Sequence, residues 1–254
     1  MNSTSAGRAA TLALFDQLGW RPGVRVLDVG CGLGGPARYL ARHRGARVTG
    51  VDLTPGSVEV ARELTSRCGL AEVVDFQVGN ALELPIPDGS VDAVCLLHVG
   101  MTIEDKPRLF AEVRRVVRPG GWFAIYDVMR VGVGEIDYPV PWARAAEASF
   151  VAEPGTYRRL LGEAGFRVEH ERDRREFGIE SLSGIGHDFA TANLVEAMRR
   201  GLLAPTEMIS TATACLSRPI PAGAPPTTHR VNSAPPRLDR SSPTVASPSS
   251  SASG

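Results

Sequence analysis

A carboxylate followed by several glycines stands near the start of the chain, in the stretch DVGCGLGGP at residues 28–36. Asp28 closes an apolar run, and an amphipathic helical pattern begins after Pro36. The stretch is therefore predicted to be a turn between a strand and a helix. Glycines tolerate positive φ angles and carry no Cβ, so a ligand can lie against the backbone amides and the helix N-terminus. Such a turn suits a nucleotide-like ligand.

The glycine spacing fits two patterns at once. Gly30, Gly32 and Gly35 match G-x-G-x-x-G, the fingerprint of dinucleotide-binding turns. Asp28, Gly30, Gly32 and Gly34 match a second pattern, D-x-G-x-G-x-G. A glycine pattern alone does not decide between them. The rest of the chain has to supply the distinction.

Three further polar side chains lie at the end of a predicted strand or just after it. Asp52 ends the second strand, where a carboxylate can accept both ribose hydroxyls of an adenosine that lies across the strand ends. Asn80 follows the third strand in VGNALELP, and its amide either pairs with an adenine edge or satisfies a turn. His98 follows the fourth strand, and we expect a general base, an acceptor ligand or a structural turn histidine there.

Two further pairs of side chains extend this list of candidates. Tyr126 and Asp127 end the fifth strand at the same edge, and side-chain alternation predicts that one of them faces substrate. Tyr138 and Trp142 lie in a proline-rich insertion. They either cover an apolar substrate or pin a loop to the body of the protein.

The elements that must position these side chains follow from apolar runs and helical spacing. Strands are predicted over residues 24–29, 47–52, 73–78, 91–97, 122–128, 166–173 and 204–211. Helices are predicted over residues 8–18, from 36 onward, and over 55–69, 104–117, 156–165 and 188–201, with Thr54 as the cap of the third. This order predicts an α/β fold: a doubly wound, mostly parallel, Rossmann-like sheet of seven strands with helices on both faces.

The chain is expected to contain one domain. Residues 1–23 form an N-terminal helix and linker, residues 24–216 the domain, and residues 130–154 an insertion that serves as a substrate lid. Residues 217–254 contain eight prolines and nine serines without an apolar period, so we expect a disordered tail.

Composition narrows the function classes. The formal net charge is zero, which gives no reason to expect a nucleic-acid or membrane partner. The four cysteines lack metal-ligand spacing and no apolar run could span a membrane, so we expect no metal site and a cytoplasmic protein. Of the 28 basic side chains all but Lys106 are arginine, which indicates GC-rich coding and a bacterial source. The oligomeric state is left open.

Six ordered motifs then decide between the two glycine patterns: VLDVGCGLGGPARYLA, VTGVDLTP, VGNALELPIPDGSVDAV, LLHVGM, EVRRVVRPGG and FAIYDV. Together they resemble class I S-adenosylmethionine-dependent methyltransferases. The likeness is to the small-molecule branch with a type 11 methyltransferase domain, which includes sarcosine/dimethylglycine and tocopherol methyltransferase-like enzymes. It covers about residues 8–170.

The resemblance implies a cofactor, S-adenosylmethionine, and a small-molecule methyl acceptor. It implies that the turn holds the methionyl portion, with Asp28, Gly30, Cys31, Gly32 and Gly34 as its residues. By the same resemblance Asp52 holds the ribose, Leu53 packs on the adenine, and Asn80 and Ala81 lie beside it. The family usually has aspartate where this chain has Asn80. His98 is the candidate catalytic residue.

We therefore expect methyl transfer to oxygen, nitrogen or carbon of a small metabolite. An NAD-dependent oxidoreductase is the first alternative, although no second glycine-rich turn follows a later strand and Lys106 is the only lysine. A non-catalytic or degenerate cofactor-binding protein is the second. A nucleic-acid methyltransferase is disfavoured because strand four leads into LLHVGM, without an Asn/Asp-Pro-Pro-aromatic turn, and the charge shows no basic face.

Overall fold

The computed structural model describes residues 5–183 and 188–214. Its helices are α1 (Ser5–Phe15), α2 (Gly35–Arg44), α3 (Pro55–Arg67), α4 (Lys106–Val116), α5 (Pro154–Glu163), α6 (Arg175–Ser183) and α7 (Phe189–Arg199). Its strands are β1 (Arg25–Val29), β2 (Arg47–Asp52), β3 (Val74–Val78), β4 (Val91–Leu97), β5 (Val117–Arg130), β6 (Phe166–Asp173) and β7 (Leu203–Ala212). The tail expected at residues 217–254 lies outside the described residues.

The seven strands form a single sheet in the order β3-β2-β1-β4-β5-β7-β6. The first five are mutually parallel, and β7 runs antiparallel to both β5 and β6. The predicted α/β fold with a mostly parallel seven-stranded sheet is therefore confirmed. The order reverses between β1 and β4, so ligands are expected at the carboxyl ends of these strands.

Each face of the sheet carries its own apolar core. Helices α4 and α5 cover one face, with side chains that include Leu109, Phe110, Leu160 and Leu161. Helices α1, α2 and α3 cover the other face, with side chains that include Leu14, Phe15, Leu40 and Val58. Strand residues alternate between the two cores because successive side chains point to opposite faces. This double packing makes the strand ends a rigid platform.

Two elements, α6 and β5, differ most from the sequence-based prediction. Helix α6 was not predicted, and β5 begins at Val117 rather than at Trp122. The longer strand forms because Val117 pairs with Val91 of β4, before an irregularity in register that precedes the pair of Ala93 and Trp122. Long-range pairing thus carries the strand across the Pro-Gly-Gly segment that was predicted to precede it.

The insertion between β5 and α5 packs on α7. Ile136 and Val140 share a buried cluster with Leu194 and Met198 of that helix. The Asn193 side chain donates a hydrogen bond to Pro139 O at 3.0 Å, which adds a polar tie. The insertion is therefore anchored to the domain along much of its length.

The two aromatic side chains of the insertion contribute to that anchorage. Tyr138 and Trp142 are half-buried and pack against the same cluster. The Trp142 indole N–H donates to Ser149 Oγ at 3.0 Å. Of the two roles considered for these residues, the structure shows loop anchoring. None of the helices within residues 5–183 and 188–214 has both the length and the apolar character needed to cross a membrane.

Candidate functional site

The glycine turn connects β1 to α2, and its backbone needs glycine at alternate positions. Gly30, Gly32 and Gly34 have φ angles of 71°, 50° and 73°, in the left-handed region that L side chains rarely adopt. Gly35 begins α2 without a positive φ. The positions at which the backbone requires glycine are therefore those of the pattern D-x-G-x-G-x-G. They are not those of the dinucleotide fingerprint, which includes Gly35.

The three glycines differ in what surrounds them. A Cβ on Gly30 would collide with Val99, and a Cβ on Gly34 would collide with Phe76. A Cβ on Gly32 would meet no atom within 4 Å. Two glycines thus allow close packing of the protein on itself, while Gly32 faces open space where a ligand can approach the backbone.

Asp28 lies beneath this turn at the end of β1. Its side chain is only 2% exposed, and its Oδ2 has no hydrogen-bond partner within the described part of the chain. Burial, with a smaller contribution from the charge of Asp52, raises the pKa of the Asp28 carboxyl to about 7. A buried carboxylate oxygen without a partner destabilises the ligand-free protein, and a cationic ligand group would satisfy it.

Asp52 holds together the ends of β1 and β2. Its Oδ2 accepts the backbone N–H of Gly32, and its Oδ1 accepts that of Thr54, each at 2.9 Å. Thr54 occupies the N-cap position of α3, but its side chain makes no capping hydrogen bond, contrary to expectation. The Asp52 carboxylate thus orders the glycine turn and the entry to α3 together.

The remaining cofactor candidates surround this pair of carboxylates. Leu53 is 70% exposed, so most of its apolar surface faces solvent. The Oδ1 of Asn80 accepts the Leu82 N–H at 2.9 Å, which is the turn role considered for it, and Ala81 packs against the core. The Cys31 side chain is buried, and burial raises the pKa of its thiol well above the usual range.

His98 follows β4 with a φ of 60°, the only non-glycine residue with a positive φ in the part of the chain described. Its backbone N–H donates to the Tyr126 carbonyl oxygen at 2.7 Å. Its imidazole ring lies edge-on to the Tyr126 ring, with 5.1 Å between the ring centroids. His98 is exposed at the surface, and desolvation by the neighbouring protein lowers the pKa of its imidazole to about 4. The imidazole is therefore neutral at neutral pH.

Tyr126 and Asp127 are both buried, and β5 continues past them to Arg130. The expectation that they end the strand and that one of them faces substrate is therefore wrong. Tyr126 packs under the His98 ring, and burial raises the pKa of its phenol to about 12. Asp127 is 0% exposed and its Oδ2 accepts the Tyr157 hydroxyl at 2.6 Å. Tyr157 was not among the candidates, because nothing in its local sequence distinguishes it from a core residue.

The structure brings the glycine turn and the His98 segment together. Val99, next to His98, packs directly on Gly30, where a Cβ would not fit. Asp28 and Asp52 lie at the carboxyl ends of β1 and β2, and His98 directly follows β4. Asn80 and Ala81 follow β3 at the edge of the sheet. Within residues 5–183 and 188–214, no three His, Cys, Asp or Glu side chains form a group that could hold a metal ion.

The chain matches known proteins over this same region. Residues 27–125 match a family model described as a methyltransferase domain. Methyltransferase GfsG of Streptomyces halstedii is 39% identical over 124 residues, which are 49% of this chain and 45% of that protein. A probable chloroplastic tocopherol O-methyltransferase of Oryza sativa subsp. japonica is 45% identical over 95 residues, 37% of this chain and 26% of that protein. The chain spans less than half the length of these curated relatives.

Solved structures share the fold over a longer stretch. A putative sarcosine dimethylglycine methyltransferase from Galdieria sulphuraria superposes with a TM-score of 0.73 at 23% identity, covering 81% of this chain and 86% of that one. This likeness shows the fold alone, while the family match concerns residues 27–125. Members of that family use S-adenosylmethionine. Residues 27–125 thus match a methyltransferase domain, and the curated proteins that resemble this chain are named as methyltransferases.

Proposed function

We propose that this protein transfers a methyl group from S-adenosylmethionine to oxygen, nitrogen or carbon of a small molecule. The observation that carries the proposal is the buried, unpartnered Oδ2 of Asp28 beside the open backbone at Gly32. An anion in that place suits a cationic amino group, and the turn amides suit the adjacent carboxylate of an amino acid. The family match supports the same cofactor.

The chain's residues fit the other parts of the cofactor. Each Asp52 oxygen accepts one backbone N–H and retains a second lone pair for a ribose hydroxyl. Leu53 and Val78 are exposed apolar side chains that would cover an adenine ring, with the amide N–H groups of Asn80 and the small Ala81 nearby. When bound, the cofactor supplies a sulfonium-activated methyl group. The protein's task is then to align the acceptor and to exclude water.

His98 is the residue we assign to the acceptor. A neutral imidazole can accept a hydrogen bond from an acceptor hydroxyl or amine and hold its lone pair toward the methyl group. Because its pKa is lowered, the imidazole is a weak base, which favours orientation of the acceptor over full removal of its proton. We propose residues 130–154 as the cover of the acceptor site, since they adjoin the end of β5.

Cofactor binding is tested first by calorimetry with S-adenosylmethionine, S-adenosylhomocysteine and NAD. We expect binding of the first two, its loss in Asp28→Ala, and no change in Asp75→Asn, a matched exposed carboxylate on β3. Selective binding of NAD would overturn the proposal in favour of an oxidoreductase.

Methyl transfer is tested with radiolabelled S-adenosylmethionine and a panel of small acceptors. The panel includes methylated glycines and prenylated phenols, because the names of similar proteins include a sarcosine dimethylglycine and a tocopherol methyltransferase. Product masses show that a methyl group has been added, and NMR spectra of the products identify whether oxygen, nitrogen or carbon carries it. Cofactor binding without transfer to the panel or to a metabolite extract would favour the non-catalytic alternative.

We also infer a cytoplasmic location and no nucleic-acid partner. Cys31, Cys68 and Cys95 are free thiols, which suits a reducing compartment. The formal net charge of zero offers no field that would draw a polyanion to the protein. Fractionation of the source cells tests the location.

A further inference from the structure

A second polar group of residues lies buried beneath the acceptor side of the sheet. Asp127, Tyr157 and Lys106 come from β5, α5 and α4, and all three are buried. The Tyr157 hydroxyl donates to Asp127 Oδ2, and the Lys106 ammonium lies 5.8 Å from the centroid of the Tyr157 ring. A carboxyl group, a phenol and an ammonium group thus lie close together inside the apolar core.

This group contacts the segment that carries His98, which we call the His98 turn and define as residues 98–103. The Asp127 carboxylate accepts the backbone N–H of Met101. A Cβ on Gly100 would collide with Asp127 Oδ2 and lie 2.6 Å from the Tyr157 hydroxyl. The backbone of the turn therefore rests directly on the buried acid and phenol.

Lys106 ties the same turn to the end of the insertion. Its ammonium donates to Ile103 O at 2.9 Å and also to Phe150 O. The Phe150 N–H in turn donates to Met101 O at 2.9 Å. One ammonium thus links the last residue of the His98 turn to the segment proposed to cover the acceptor site.

The His98 turn needs such support because its first residue is strained. A non-glycine residue at φ 60° costs about 1–2 kcal/mol relative to the right-handed region, so the conformation persists only where surrounding contacts impose it. The Tyr126 carbonyl oxygen accepts a hydrogen bond from the backbone N–H of His98, which is one such contact. Further constraints come from Val99 on the glycine turn, from hydrogen bonds that Thr102 and Ile103 donate within the turn, and from the buried group.

We propose that Asp127, Tyr157 and Lys106 are positioning residues that set the backbone of the His98 turn and hold its imidazole against the acceptor site. The proposal rests on the proposed function, because it assigns these side chains an effect on methyl transfer that acts through His98. None of the three is accessible to substrate. Because they do not touch substrate, they are not catalytic residues. Their removal should change the position of the His98 imidazole and leave the cofactor affinity unchanged.

The test reads the His98 imidazole directly by NMR in the full chain, without cofactor or acceptor. The chain contains five histidines, and the His98 signal is the one that disappears in His98→Asn. Tyr157→Phe removes one hydroxyl and keeps the ring in the core. We expect a changed His98 chemical shift and an imidazole pKa that moves upward, while the affinity for S-adenosylhomocysteine stays within about twofold.

Gly100→Ala supplies a second, independent perturbation, because its Cβ pushes the turn away from Asp127 and Tyr157. It should displace the same His98 signal. Gly162→Ala in α5 is the matched control, since a Cβ there meets no atom within 4 Å and the signal should not move. If both Tyr157→Phe and Gly100→Ala fold and leave the His98 signal unchanged, the three buried residues only stabilise the core and the proposal is wrong.

The outcome is separable from that of the proposed function. If the wild-type chain fails to bind S-adenosylhomocysteine, the cofactor assignment fails, while the NMR comparison still reports whether the buried group sets His98. With an acceptor in hand, Tyr157→Phe should lower turnover by about tenfold or more at unchanged cofactor affinity. A fall in thermal stability with wild-type turnover in the folded fraction would contradict positioning.

Discussion

The Asp52 carboxylate accepts the backbone N–H of Gly32 at 2.9 Å, so the acid at the end of β2 holds the glycine turn at the end of β1. A residue expected only to bind ribose therefore also builds the surface on which a cofactor would lie. The two roles are compatible because each carboxylate oxygen has two lone pairs. They also mean that removing Asp52 affects more than one contact.

We predict that Asp52→Ala abolishes measurable binding of S-adenosylmethionine and lowers stability by about 1–3 kcal/mol, because two hydrogen bonds are lost at a site where water can replace the carboxylate in part. Calorimetry and thermal unfolding measure the two effects. Asp52→Asn keeps one acceptor oxygen and should lose less of both. Unchanged affinity in a folded Asp52→Ala variant would remove this residue from the site.

Asp28 should make stability depend on pH. Its pKa is about 7 in the folded chain, above the value of about 3.9 for an unfolded aspartate. The folded state therefore binds the proton more tightly, and the contribution of Asp28 to stability is greatest below pH 4 and falls as pH rises toward 7. Three pKa units correspond to about 4 kcal/mol, which sets an upper bound on the loss.

Asp28→Asn should accordingly be more stable than wild type at pH 8 by as much as a few kcal/mol, with the difference vanishing near pH 4. The same change should weaken cofactor binding, since the amide no longer offers a charge to an amino group. Denaturant titrations at pH 4, 6 and 8 give the stability difference, in which the titration of Asp127 cancels. A variant less stable than wild type at pH 8 would show that the carboxylate is satisfied in the ligand-free protein.

The glycine turn gives a pair of matched substitutions. Gly34→Ala places a Cβ against Phe76 at a φ of 73°, so we expect loss of cofactor binding and a destabilisation of at least 1–2 kcal/mol. Gly35→Ala adds a Cβ in open space at the start of α2 and should leave stability equal or higher. Thermal unfolding of both variants checks this order, and equal destabilisation would contradict the role given to positive φ.

Local sequence patterns sufficed for much of the sheet and for the cofactor side of the site. Strands β2 and β4 have the predicted bounds, because turn residues lie directly beside their apolar runs. Asp28 and Asp52 were placed at strand ends for the same reason. The glycine turn carries its own signal, since only glycine adopts its backbone angles readily.

Contacts between distant residues account for what the sequence did not predict. The α6 segment, REFGIESLS, has a glycine at its centre, and it is stabilised where Gly178 packs against Pro205 of β7 and Met198 of α7. Asp127 and Tyr157 are 30 residues apart, and alternation along β5 does not show which buried partner an acid will find. The positive φ of His98 likewise follows from its surroundings and not from its residue type.

The last prediction concerns His98, whose backbone and imidazole can be tested separately. Asparagine tolerates the left-handed region better than alanine, so His98→Asn should fold with near wild-type stability, while His98→Ala should lose about 1 kcal/mol. Both variants lack the imidazole. On an acceptor found by the screen, both should lower turnover by about 10²-fold or more with cofactor affinity unchanged.

The pH dependence of turnover distinguishes the roles of that imidazole. With a pKa lowered to about 4, His98 is already neutral at pH 6, so the wild-type rate at saturating S-adenosylmethionine should rise with pH below about 5 and stay level through neutrality. A base with the ordinary histidine pKa would instead give an inflection near 6.5. If His98 only binds the acceptor, the Michaelis constant should rise in His98→Asn while saturated turnover survives. An unchanged rate and Michaelis constant in the folded variant would exclude His98 from the reaction, and the polar groups around Tyr126 would then be the next residues to test.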